Sequence, residues 1–279
     1  MGTETLRLVN RVPPEEASDE AKQFPAPMER DKTPETLLKY FDAMAQRLGP
    51  MKWWPARTPF EVIVGAILTQ NTAWGNVERA IANLRKERLL FVGALEKVSQ
   101  GKLARLVRSS GYFRQKAKKL KAFVKFLRKE YGRSLARMFR TPTEELRRKL
   151  LAVHGIGPET ADSILLYAGG HAAFVVDAYT KRILQRHELV GEKSSYEEVR
   201  KLFETNLPRD VRMWNEYHAL LVNVGKNWCQ KRAPKCEECP LGPFLPEGKR
   251  RDFASATNQR GSLLGMAPHE KRDSSLRSE

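Results

Sequence analysis

From Thr58 onward, apolar residues recur every three or four positions, interrupted by short polar or glycine-containing breaks; that is the period of a helix with one buried face. Thr58-Pro59-Phe60-Glu61 supplies a capping hydroxyl, a proline where the first turn tolerates one, and a glutamate three residues on. Phe60, Ile63, Ala66 and Ile67 carry the stripe forward, and Val77, Ile81 and Leu84 predict a second helix. Thr141-Pro142-Thr143-Glu144 repeats the signature and predicts a helix capped at Thr141, with Leu146, Leu150 and Leu151 on one face. Ser194-Ser195-Tyr196-Glu197 does so again, capped at Ser194, ahead of Val199, Leu202 and Phe203. Trp214, Tyr217, Leu221 and Val224 predict one more. Strand signals are scarce: the run Phe174-Val175-Val176 is short and leads directly into Asp177. The expected class is all-α, and no fixed-period repeat indicates a solenoid.

Outside this pattern, residues 1–34 and 249–279 are polar and aperiodic. They read as a flexible lead and a flexible basic tail around a domain at 35–248. Charge sharpens the picture: 50 Lys+Arg against 33 Asp+Glu give a net charge of +17, which suggests a polyanionic partner, nucleic acid first among them. No run reaches the ~18 apolar residues of a membrane helix, and the first residues lack a signal-peptide pattern. A cytoplasmic, nucleoid-associated protein without a membrane partner is expected. The three cysteines, Cys229, Cys236 and Cys239, fall in one short segment. An odd, clustered set argues for a metal or cluster loop over a disulfide framework.

Two segments carry candidate chemistry. In Leu151-Ala152-Val153-His154-Gly155-Ile156-Gly157-Pro158-Glu159-Thr160-Ala161 a helix ends, glycines turn the chain, and another helix begins. Exposed amides at such a turn can hold a phosphate, and the basic Arg147, Arg148 and Lys149 lie just upstream. Ser110-Gly111-Tyr112-Phe113 is a weaker echo of the same turn. Eighteen residues past Glu159 comes Asp177, at the start of the next helix; it is either an ordinary N-cap or a carboxylate placed beside bound DNA. The basic run from Arg114 to Lys129 is by itself an ordinary solvated helix face, but with Leu120, Phe123, Val124 and Leu127 accounting for one side, its charge excess is left for DNA. His154 and His218 have no partners at metal-ligand spacing and read as structural.

These segments resemble the helix-hairpin-helix DNA glycosylases of the endonuclease III group, from about Leu38 to Pro240. The resemblance implies two helical lobes with the DNA and the active site in the cleft between them. Its partner would be double-stranded DNA with a damaged base, bound by a monomer. Asp177 matches the family's essential aspartate. Gln70, within Leu68-Thr69-Gln70-Asn71-Thr72, matches the glutamine that fills the gap left by a flipped base. Gly111 and Lys116 match the family's DNA-backbone segment, and Gly155, Gly157 and Thr160 its hairpin. Bifunctional members carry a Schiff-base lysine where this chain has Glu159. Glutamate there, with Trp53, Trp54 and Phe60, resembles the monofunctional 3-methyladenine branch, in which such residues line the base pocket. The alternatives are a bifunctional glycosylase/lyase acting on oxidised pyrimidines with another amine, and a non-catalytic DNA-binding module. Cys229, Cys236 and Cys239 match three ligands of the family's 4Fe-4S cluster, but the fourth position is Leu245. A cluster with a different fourth ligand, zinc, or a decayed loop all stay open.

Overall fold

The computed structural model describes residues 33–51 and 53–247; the expected lead and tail lie outside them, apart from the first helix reaching back to Thr33. Twelve α-helices follow in order: α1 Thr33–Leu48, α2 Pro59–Leu68, α3 Trp74–Lys86, α4 Val92–Lys97, α5 Gln100–Leu106, α6 Phe113–Tyr131, α7 Leu135–Met138, α8 Thr143–Leu151, α9 Pro158–Ser163, α10 Ala178–Arg186, α11 Tyr196–Asn206 and α12 Val211–Asn227. A π-turn, Ile164–Ala168, extends α9. There is no strand among the described residues; the Phe174–Val176 run is extended but unpaired.

The helices pack as two lobes, each with its own core. The first is built on α2, whose residues from Phe60 to Leu68 are all buried, as expected of a helix apolar on every side. Val77, Ile81, Leu84, Leu120, Phe123, Val124, Leu127, Leu146 and Leu150 close around it from α3, α6 and α8. The second lobe centres on α12, whose Trp214, Tyr217, Leu220, Leu221 and Val224 meet Leu37, Tyr40 and Met44 of α1 and Phe203 of α11. The N-terminal helix therefore packs with the C-terminal ones. The segment before α10 passes from one core to the other: Ala173 belongs to the first, and Phe174, Val175 and Val176 to the second.

Side-chain capping explains six of these helix starts. The Glu61 amide donates to Thr58 Oγ1 at 3.2 Å, as the sequence predicts. Two starts move by one residue. Pro142, not Thr141, precedes α8, and no side chain caps that end; Thr141 Oγ1 donates to the Tyr131 hydroxyl instead. At α11 the cap is Ser195, which forms a reciprocal capping box with Glu198. Ser194/Glu197 and Ser195/Glu198 both satisfy the pattern, and only the second pair closes both hydrogen bonds.

A buried ionic cluster ties the lobes together. Arg147 of α8 donates from Nε and Nη2 to both oxygens of Asp162 on α9, and from Nη2 to Glu197 of α11. Arg200 of α11 pairs with Glu144 and Glu204, and the Tyr196 hydroxyl donates to Asp162 Oδ2 at 2.8 Å.

Candidate active site

The inter-lobe segment delivers Asp177 to the start of α10. There Oδ1 accepts from the Thr180 amide at 2.8 Å and the Thr180 hydroxyl at 3.0 Å. The cap that the sequence suggests is real, but it engages one oxygen. The other, Oδ2, lies 3.9 Å from Nε2 of His218 on α12. His218 is only 5% exposed, and its Nδ1 is 2.5 Å from the Tyr167 hydroxyl. The sequence offered no sign of this: His218 lies far from Asp177 along the chain, and α12, packed against both α10 and the π-turn that carries Tyr167, brings the three together.

Glu159 occupies the first turn of α9. Its side chain has access to solvent, yet protein surrounds it on most sides. That crowding and the charge of Asp177 push its carboxyl up to about 7. Burial, and then the Asp177 charge, also raise the Tyr167 hydroxyl well above its ordinary value. Burial lowers the His218 imidazole, which Asp177 only partly offsets. Beside Asp177 the cleft thus holds a glutamic acid whose carboxyl is pushed up to about 7, and an imidazole and a phenol that stay neutral at neutral pH. A protonated carboxyl can donate a hydrogen bond while its neighbour stays ionised, a division of roles suited to acid–base chemistry.

Tryptophans wall this region. Trp54, at φ +49°, packs between Tyr167 at 5.1 Å and Trp74 at 5.3 Å between ring centroids. Trp53 meets His218 edge-on at 6.4 Å. Phe60, expected among the pocket residues, is 4% exposed and lies in the first core. Phe60 is not among the residues that line the cavity beside Trp54, which Trp74 joins instead. A cavity of about 210 Å³ opens beside these rings, lined by Trp54, Pro55, Trp74, Glu78, Glu61 and Arg85 among others.

The hairpin joins α8 to α9. Gly155 has φ +83°, and a Cβ there would sit 2.4 Å from Lys119 Cγ, so both backbone and packing require glycine. The lysine stem lies across the turn, and its Nζ donates to Gln70 Oε1 at 2.5 Å. Gln70 Nε2 in turn donates to the Gly155 carbonyl and to Thr160 Oγ1. Gln70, expected to enter the duplex, is docked on the hairpin here. Thr160, expected on the DNA face, is 6% exposed and turned inward to hold that amide. Lys116 is also corrected: it is 2% exposed, and its ammonium is spent on the Leu68 and Ser110 carbonyls. Burial, and then Lys119, lower its pKa to about 8. Gly111 and Gly157 have open space above their Cα atoms, as a backbone that meets phosphate needs. Beside Gly111, Tyr112 is 71% exposed and held at φ +44°, a projecting ring that the sequence reading did not single out.

Residues 64–209 match the family model of the HhH-GPD superfamily base excision DNA repair proteins. The chain belongs to this superfamily. The match takes in Gln70, the hairpin and Asp177, but ends before His218 and the cysteines. A protein of Methanocaldococcus jannaschii, provisionally named a DNA repair glycosylase, is 46% identical over 75% of this chain and 96% of its own length. Endonuclease III of Bacillus subtilis is 30% identical over 70% of this chain and 84% of its own. Among solved structures, a 3-methyladenine DNA glycosylase of Helicobacter pylori bound to 1,N6-ethenoadenine superposes with a TM-score of 0.61 at 28% identity. It covers 70% of this chain and 97% of that one. The resemblance to endonuclease III-like glycosylases and the all-α class both hold, and the protein is a base excision repair DNA glycosylase.

In this glycosylase the cysteine loop is only partly equipped. Cys229, Cys236 and Cys239 line one cavity together with Leu245, Arg186 and His187. Arg186 Nη1 lies 3.2 Å from Cys229 Sγ, and a Cβ on Gly242 would come 2.1 Å from the Cys236 carbonyl, so the loop is tightly turned. A four-iron cluster takes four ligands, and Leu245 presents only carbon at the fourth position. Among the described residues no group of three His, Cys, Asp or Glu side chains is gathered closely enough to hold a metal ion. The residues present do not fit a four-cysteine cluster.

Proposed function

We propose that this glycosylase is monofunctional: it flips a damaged, N-alkylated base out of duplex DNA and hydrolyses its glycosidic bond with water. The observation that carries this reading is the pair of carboxylates, Glu159 and Asp177, where a lyase needs an amine. An imine requires an unprotonated amine, and Glu159 cannot supply one. Lys119, whose stem lies against Gly155, is engaged on Gln70, and Lys116 on carbonyls. The likeness to a 3-methyladenine glycosylase supports the same branch.

In this reading Asp177 Oδ2 faces the sugar and stabilises the cationic character that develops as the bond breaks. Glu159, near half-protonation, can donate to or accept from the leaving base. Trp53, Trp54 and Trp74 offer π faces that attract a cationic base by about 0.5–2 kcal/mol each, and an extruded base is read by such stacking. Gly111, Gly155 and Gly157 bring backbone amides to the phosphates. Gln70 would leave its docked position to fill the gap in the duplex.

The deciding assay is incubation with duplexes that each carry one lesion, with and without alkali, and with borohydride present. Release of an alkylated purine, strand scission only after alkali, and no borohydride-trapped complex are expected. A trapped species that survives denaturation would assign a lyase instead.

A further inference from the structure

We propose that Tyr167 and His218 are positioning residues that hold the cleft-facing oxygen of Asp177. The inference rests on the reading of Asp177 as the catalytic carboxylate. Asp177 is fixed on one side only: both bonds from Thr180 go to Oδ1. A carboxylate held by one oxygen can still swing the other, and a transition-state charge gains most from a group that is already oriented. The donor placed to stop that swing is His218. Its Nε2 is buried and completes no hydrogen bond, the situation of a group whose partner is still to come. That atom is aimed at Asp177 Oδ2 from 3.9 Å, so closing to hydrogen-bond length needs a shift of about 1 Å.

The surrounding groups set the tautomer. Trp53 Nε1 beside this pair is buried and completes no hydrogen bond, and Trp53 meets the His218 ring edge-on at 6.4 Å. An indole nitrogen only donates, so the phenolic proton is left to point at His218 Nδ1, 2.5 Å away. With Nδ1 accepting, the ring proton sits on Nε2, on the side of Asp177. The chain then runs Trp53, Tyr167, His218, Asp177: the Tyr167–His218 link is a completed hydrogen bond, and the His218 Nε2–H is left to close on Asp177 Oδ2. No proton need move along it. It holds the imidazole neutral and correctly oriented, and the imidazole holds the carboxylate.

The test uses the full chain, 15N-labelled at histidine, and a duplex carrying 1,N6-ethenoadenine as probe. The imidazole signals that vanish in His218→Gln should report an Nε2–H tautomer in the wild type. In Tyr167→Phe the same ring should show a mixture of tautomers. In single-turnover base release, His218→Phe should slow the reaction about 10- to 100-fold, the range seen when the partner that orients a reactive group is removed. DNA affinity should stay within about three-fold. His218→Gln places an amide N–H near the lost Nε2 and should recover most of the rate. An Nδ1–H tautomer in the wild type, or a folded His218→Phe at the wild-type rate, would overturn the proposal. If His218→Phe does not fold, Tyr167→Phe and His218→Gln decide it by rate and tautomer. Wild-type protein that releases no base from any lesion duplex would defeat the proposed function, while the tautomer would still test the chain.

Discussion

At the scale of single residues, the proposed function assigns different roles to Asp177 and Glu159. Asp177→Asn keeps the helix cap, because the amide oxygen can still accept from Thr180, but it removes the charge that the proposed function assigns to transition-state stabilisation. Base release should vanish while DNA affinity stays within about three-fold, measured by single-turnover kinetics and a binding titration. Glu159 makes a prediction about pH. Its folded pKa is raised to about 7, so the folded state holds its proton more tightly than the unfolded chain. The protein is then best off below the unfolded value, and stability falls as pH rises from there to about 7. Glu159→Gln cannot titrate. The variant should melt at nearly the wild-type temperature at pH 4 and above it at pH 8. Equal differences at both values would show that Glu159 is not perturbed.

At the scale of elements, the hairpin depends on a glycine that nothing else can replace. Gly155→Ala must adopt a positive φ, which costs a non-glycine residue about 1–3 kcal/mol, and it must also displace the Lys119 stem. That displacement frees Gln70 from one of its anchors. Urea denaturation should show the lost stability, and DNA affinity should fall with it. The cysteine loop is the opposite case, an element short of one residue. Leu245 lines the same cavity as the three thiols, so Leu245→Cys should supply the missing fourth ligand. Iron analysis after anaerobic reconstitution should find a full four-iron complement in the variant and less in the wild type. A variant with no more iron than the wild type would show that the loop geometry is no longer competent.

At the scale of the molecule, the two lobes are held in register by charge as well as by packing. Asp162 is fully buried and joins Arg147 of the first lobe to Tyr196 and Arg200 of the second. Removing one member of a buried ionic cluster leaves the others uncompensated, at a cost of about 3–5 kcal/mol. Asp162→Ala should lower the unfolding free energy by that order in equilibrium denaturation. Base release should also slow, because Glu159 stands on the first lobe and His218 on the second, and the cleft between them opens if the lobes part.

Much of this was decided by the chain's local chemistry. The helical period marked α2, α3, α6, α8, α11 and α12, half of the described helices, since a stripe every three or four residues buries one face wherever the helix lies. The glycine hairpin, the Asp177 segment and the cysteine spacing were legible because turns and loops need particular residues at particular places. Helix starts were legible to within one residue; Ser194/Glu197 and Ser195/Glu198 are equal as pattern, and hydrogen-bond closure chose between them. What remained depended on contacts between distant segments. Phe60 satisfies the same local pattern whether it faces core or cleft, and the packing of the first lobe places it in the core. Lys116 and Thr160 look like DNA contacts in sequence but spend their polar groups inside the protein. His218 had no partner in sequence, because its partner stands on another helix, and a side chain's role at a site follows from which surfaces the fold presses together.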